Sequence, residues 1–181
     1  MLSIWWLVAA AGFGPPIGSL FWAVLLLAAV LTAVYTAFLF AQARGRDFWQ
    51  SPALALHMLV DALLAGTAVL AVIDVFSSLP EAWGPLLRTL LLAGLAAHLL
   101  TLLVELTMPH ATEDAERAAH DIVAGRLAGL FWGAGIIVGG LVPIALLLLA
   151  GPLWLAAALI LAGIYVVEYA WVRAPQMIPL S

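Results

Sequence analysis

Long apolar runs separated by short polar stretches make up most of this chain. A helix needs about 20 predominantly apolar residues to cross a bilayer. Five stretches reach that length: about Ser19 to Ala41, Ala53 to Phe76, Leu86 to Leu106, Leu130 to Ala150 and Leu153 to Val172. Only Gly151-Pro152 separates the last two, which predicts a tight helical hairpin. Ahead of them, Ile4 to Phe13 is apolar but only about half a membrane long. It stops at Gly14-Pro15-Pro16, through which a helix cannot continue. The pattern therefore predicts an all-α, polytopic transmembrane helical bundle. Residues 1–18 read as a partial, re-entrant or interfacial helix, and residues 19–181 as a four- or five-helix membrane bundle.

Composition supports the bilayer as solvent. The chain is 66% hydrophobic and 9% charged, with mean hydropathy +1.19, whereas soluble domains carry about 25% charged residues. So short a chain has no way to hide that much apolar surface in a soluble core. With no cysteine, disulfides, thiolate metal sites and chain-borne iron–sulfur clusters are excluded. A net charge of -4 argues against nucleic acid, which needs a basic face. No basic segment precedes Ile4-Trp5-Trp6-Leu7, so the start does not read as a cleaved signal peptide.

The arginines set the expected orientation. Arg44 and Arg46 lie in the first polar loop, Arg117 and Arg126 in the long loop at 107–128, and Arg173 in the tail. If the spans alternate, these five share one side, and Arg88 alone is left on the other. The tail and both polar loops are then cytoplasmic. Within the long loop, Glu113 to Val123 reads as a surface helix. Thr112 is placed to cap it, acids fill its first turn, and Ala115, Ala118, Ala119 and Ile122 form an apolar stripe. In the fourth span, Gly125, Gly129, Gly133, Gly135 and Gly139 precede Pro143. Small residues at such steps suit close helix packing, with a cofactor or quinone groove as the other reading.

Ionisable residues inside apolar spans are costly and are functional hypotheses by default. His57 and Asp61 are four apart and share a face of the second span, and His98 and Glu105 share a face of the third. Asp61 and His98 each lie eight residues from the polar-loop end of their spans, about 12 Å deep at 1.5 Å per residue. Glu168 sits near the same end of the fifth span beside Tyr165 and Tyr169, and Tyr35 of the first span falls at comparable depth. If these faces converge, Glu105, His57, Asp61 and His98 form a ladder from the cytoplasm toward the membrane middle. Such a ladder suits a proton relay; a structural network in which His98 and Asp61 only satisfy one another fits it equally. The proton-path candidates are thus His57, Asp61, His98, Glu105, Glu168 and Tyr35. Asp74 and Arg88, at the opposite ends of their helices, read as an interfacial ion pair. A bis-histidine haem is disfavoured, because His57 and His98 differ in depth by about 6 Å. No catalytic residue and no metal ligand set is assigned.

Four passages carry a family resemblance: Tyr35-Thr36-Ala37-Phe38-Leu39-Phe40-Ala41-Gln42-Ala43-Arg44-Gly45-Arg46 closing with Trp49; Leu56-His57 followed by Ala62-Leu63-Leu64-Ala65-Gly66; Glu105-Leu106-Thr107-Met108-Pro109-His110; and the tail Arg173-Ala174-Pro175-Gln176 with Pro179-Leu180-Ser181. In order and spacing they resemble the NrfD and polysulfide-reductase membrane-subunit family, from Ser19 to the end. The resemblance implies a haem-free, multi-pass subunit of a respiratory complex in the bacterial cytoplasmic membrane. It implies a non-catalytic anchor that links the menaquinone or ubiquinone pool to an iron–sulfur subunit and a molybdopterin-type catalytic subunit. Family members normally have eight to ten spans in two four-helix bundles, and this chain resembles the second half. The quinone site lies mainly in the first bundle, so no quinone-binding residue is carried over. The Ile4 to Phe13 segment then reads as the end of a helix whose start is absent, with the missing half lost or supplied by another polypeptide. A proton-conducting or structural membrane subunit without its own redox role is the competing reading.

Overall fold

The structure, a computed structural model, describes residues 19–43, 45–77 and 80–179; the predicted half-span at Ile4 to Phe13 lies outside the described residues. Six helices follow one another. They are α1 (Ser19–Ala41), α2 (Leu54–Ser77), α3 (Trp83–Thr107), α4 (Glu113–Val123), α5 (Ala128–Leu148) and α6 (Leu153–Gln176). A 3-10 turn, Asp47–Gln50, lies between α1 and α2. All except α4 are long and apolar enough to cross a membrane.

α2, α3, α5 and α6 form the bundle, with α2 packed on both α3 and α6, and α5 on α6. α1 lies outside it against α2 and the 3-10 turn, and among its described side chains it buries little more than Ala37. The buried face of α2 runs Leu54, His57, Asp61, Leu64, Ala68, Ala71. On α3 it runs Leu87, Leu91, Leu95, His98, Thr101, Leu102, Glu105. Both follow the three- and four-residue steps of one helix face. The lower part of each stripe is aliphatic and joins Ile160 of α6. The upper part is where the buried acids and imidazoles sit.

At the polar-loop end the tail is tied down by the first loop. Arg46 donates to the carbonyl oxygens of Pro175 (2.6 Å) and Ile178 (2.8 Å), satisfying carbonyls that a helix C-terminus leaves free. Trp49 Nε1 donates to the Trp171 carbonyl at 3.1 Å. α4 lies across this end. The Thr112 hydroxyl accepts from the Ala115 amide at 3.3 Å, and Ala115, Ala118, Ala119 and Ile122 are buried against the bundle. At the opposite end Arg88 donates to the carbonyls of Leu147 (2.5 Å) and Gly151 (3.0 Å). It thereby clamps the α5–α6 turn, a role that pairing it with Asp74 from sequence did not anticipate. In that turn Ala150 takes a left-handed φ of 54°, and the Gly151 amide reaches back to the Leu146 carbonyl at 2.7 Å, closing α5 as a left-handed C-cap does.

α5 is not a regular α-helix. Phe131–Leu141 is wound as a π-helix, ending just before Pro143. Proline lacks an amide hydrogen and its ring collides with the preceding turn, and a widened turn is one way for a membrane helix to absorb this. The glycine series divides. The Cα of Gly139 packs so tightly on Gly163 that a Cβ on either residue would overlap the other's backbone, and Gly135 faces Val167. Gly129 and Gly133 face open space. Close helix packing thus accounts for the inner glycines, and at Gly125 a Cβ would collide with Asp121.

Candidate functional site

The polar residues of the upper bundle meet in one buried chain. Glu105 Oε2 lies 2.6 Å from His57 Nδ1. His57 Nε2 points the other way, 3.4 Å from Asp61 Oδ2 on the next turn of α2. Asp61 Oδ1 lies 2.5 Å from His98 Nδ1 across the α2–α3 interface. The order from the polar-loop end inward is Glu105, His57, Asp61, His98, all four buried. From α6, Glu168 brings Oε1 to 3.6 Å from His57 Nε2, its side chain 28% exposed. Three helices therefore supply five ionisable groups, and His57, fully buried, is the hub.

Helical geometry explains the meeting. Four residues separate His57 from Asp61, so both project from one face of α2. Seven separate His98 from Glu105, two turns along one face of α3. Because α2 and α3 are antiparallel, the outer residue of one faces the outer residue of the other. Tyr35 does not join: it is 60% exposed on α1 and makes none of these contacts. At 100° per residue it stands about 200° around the helix from Ala37, the residue that α1 buries.

The surroundings contribute aromatic walls that sequence reasoning did not place. The Trp171 ring meets His57 edge-on with centroids 5.1 Å apart, and Phe48 lies 5.2 Å from Trp171. Trp171 falls three residues after Glu168 on α6 and so shares its face, the one signal that could have placed it. Its carbonyl is held by Trp49, so the first loop fixes the backbone beneath this ring. Above Glu105 a cavity of ≈ 300 Å³ opens at the polar-loop end, lined by Asp47, Phe48, Ser51, Glu105, His110 and Trp171 among others. Glu105 Oε1, His57 Nε2 and Asp61 Oδ2 are buried without a hydrogen-bond partner. The arrangement is a closely spaced series of ionisable groups whose outermost residue, Glu105, lines the cavity.

The passages behind the family resemblance thus converge in space. Arg46 and Trp49 bind the tail, His57 meets Glu105, and His110 lines the cavity. A family model, described as polysulphide reductase, NrfD, matches residues 3–178. The chain belongs to the NrfD family. The match reaches back to residue 3, well before Ser19, from which the resemblance was read. No curated protein and no solved structure matches the chain. NrfD proteins are multi-pass membrane subunits of quinone-linked oxidoreductase complexes, associating with iron–sulfur and catalytic subunits. The five apolar helices fit that setting.

Proposed function

We propose that this NrfD protein is the membrane anchor of a bacterial respiratory oxidoreductase, and that its buried carboxylate–imidazole chain moves protons for the complex. The observation that carries the reading is the series Glu105–His57–Asp61–His98, whose outer two steps are hydrogen bonds of 2.6 and 2.5 Å and whose middle step spans 3.4 Å. Carboxylates and imidazoles exchange protons near neutral pH, and chains of them inside a membrane mark proton paths. The cavity beside Glu105 serves as the aqueous entry, and Glu168 acts as a side store next to His57. Five of the six arginines belong to the polar-loop end, which is therefore cytoplasmic, the C-terminus included. Menaquinone or ubiquinone exchanges electrons with an iron–sulfur partner, itself joined to a molybdopterin-type catalytic subunit. The protein is the anchor and proton-handling part rather than the catalyst. A lone proton conductor or a purely structural subunit is the second reading, favoured by the fact that the whole series lies within this one chain.

One preparation tests both. The protein is purified from its native membrane, its co-purifying subunits and cofactors are identified, and proton uptake is followed in proteoliposomes driven by quinol. The proposal requires stoichiometric iron–sulfur and catalytic partners and quinol-linked proton movement that falls at least about tenfold in Glu105→Gln, since general acid–base groups typically contribute about 10²–10⁴-fold. Recovery of the chain alone, conducting protons without quinol, moves the assignment to the second reading. Unchanged proton movement in Glu105→Gln defeats the relay.

A further inference from the structure

We propose that the inner part of the cluster is a binding site for a divalent transition cation of the Zn²⁺ type, and that the ion, once bound, displaces the proton chain and blocks it. The blocking half rests on the relay reading above; the binding half stands on geometry alone. One ligand atom from each of His57, Asp61 and His98 lies within 4.8 Å of the other two. Two imidazoles with carboxylates form a common donor set for such ions.

The second observation concerns the atoms that the hydrogen-bond network leaves over. His57 Nε2 and Asp61 Oδ2 are both buried with no hydrogen-bond partner, yet they face each other at 3.4 Å. Glu168 Oε1 stands 3.6 Å from the same nitrogen. With metal–ligand bonds of about 2.0–2.1 Å, the edge of a coordination tetrahedron is about 3.3–3.4 Å. These spacings are long for hydrogen bonds and right for two ligands sharing an ion. On the far side of His57, Nδ1 is held by Glu105 at 2.6 Å. A carboxylate on the second ring nitrogen is the usual support of a metal-bound imidazole, fixing which nitrogen is free to coordinate. The contact between Asp61 Oδ1 and His98 Nδ1, 2.5 Å, is shorter than a tetrahedral edge. The ion takes the place of the proton these two share, and the pair opens by about 0.8 Å to reach tetrahedral spacing. Glu168 stands outside this group of three, 3.6 Å from His57 Nε2, and its partly exposed carboxylate moves in to supply the fourth ligand. Because ligands must give up protons to bind a metal, ion and proton chain exclude one another, with the cavity beside Glu105 as the way in.

The test uses the purified complex with Zn²⁺ as the probe. Binding is measured by calorimetry and by metal content after gel filtration, and the ligand shell by X-ray absorption. The proposal requires one ion per chain in a four-coordinate nitrogen/oxygen shell. Asp61→Asn and His98→Ala should each lower affinity at least tenfold. Glu105→Gln, which touches no ligand atom, should lower it about 10–100-fold, so a variant that fails to fold does not decide the matter. A His110→Ala/His120→Ala variant, which removes the surface imidazoles, must keep the stoichiometry. The metal site is overturned if no ion binds, if the inner variants bind as wild type, or if the surface variant loses the ion. Zn²⁺ is then added to the proton-uptake assay. Site-specific binding with loss of uptake supports both halves. Site-specific binding to a protein that moves no protons keeps the metal site and removes the relay. Uptake that persists with the ion bound refutes the block.

Discussion

The link between α2 and α3 can be weighed by a double-mutant cycle on Asp61 and His98. Their contact is 2.5 Å long and both residues are buried, so it belongs to the charge-assisted class, worth about 1.5–3 kcal/mol against about 0.5–1.5 for a neutral bond. Interhelical bonds in bilayers run lower, about 0.6 kcal/mol on average and about 1.7 at most. The upper end applies here, because Asp61 Oδ2 has no bond to fall back on. His98→Ala should therefore cost about 2 kcal/mol. Asp61→Asn keeps shape and an acceptor for the His98 ring, so it loses only the charged part, about 1 kcal/mol. In the double variant the asparagine has no ring left to lose, and the total stays near 2 kcal/mol rather than 3. The coupling is then about 1 kcal/mol, above the roughly 0.5 kcal/mol within which independent sites add. The assay is reversible unfolding in mixed micelles, followed by circular dichroism, with the packing lost at His98 cancelling around the cycle. Additive single effects would refute the claim that these two side chains share one interaction.

Two further outcomes follow from other parts of the molecule. Gly139→Ala places a methyl group against the backbone of Gly163 on α6; overpacking of this kind costs about 1–3 kcal/mol, and an unchanged melting temperature would show that α5 and α6 are not locked there. Outside the membrane, the Arg126 guanidinium, hydrogen-bonded to Asp121 at 2.5 Å, holds that carboxyl below its ordinary value of 3.8. A depressed carboxyl stabilises α4 above the ordinary value and loses its contribution as pH falls through the lower folded value. Arg126→Ala should remove this acid dependence with little effect at neutral pH, as exposed pairs contribute little, measured as hydrogen exchange over residues 113–123. An acid response identical in the variant would show that the pair does not hold α4.

How far the sequence carried depended on which physical signal was involved. Span length is set by bilayer thickness, so α1 falls at Ser19–Ala41 as the apolar run predicts, and the other spans differ by no more than four residues at either end. The surface helix, Glu113–Val123, was legible because cap, acidic first turn and apolar stripe all agree. The pairing of His98 with Asp61 followed from equal depth on antiparallel helices. What stayed hidden depends on rotation and tertiary contact. Depth alone placed Tyr35 with the cluster, but its rotation about α1 turns it outward. The π-wound stretch of α5 leaves no apolar period to read, only Pro143 as a hint. Arg46 and Arg88 act on backbone carbonyls, which side-chain pairing arguments do not see.

Charge balance gives the cluster its meaning. Asp61, Glu105 and Glu168 bring three carboxylates together with His57 and His98 in the upper bundle. Isolated charges at such depth cost several kcal/mol each and are tolerated only when matched. The chain has no lysine to match them. Arg46 and Arg88 are committed to carbonyls at opposite ends of the bundle, and Arg117 and Arg126 to the acids of α4. These four arginines are thus engaged away from the buried carboxylates. On the proposed function, the balance comes from charge that arrives and leaves, namely protons on the imidazoles and carboxylates or a cation in their place. A structural lock would be served as well by an arginine, or by apolar residues of equal volume. A cluster balanced by mobile positive charge suits exchange, and this is the ground on which the relay is proposed rather than the lock.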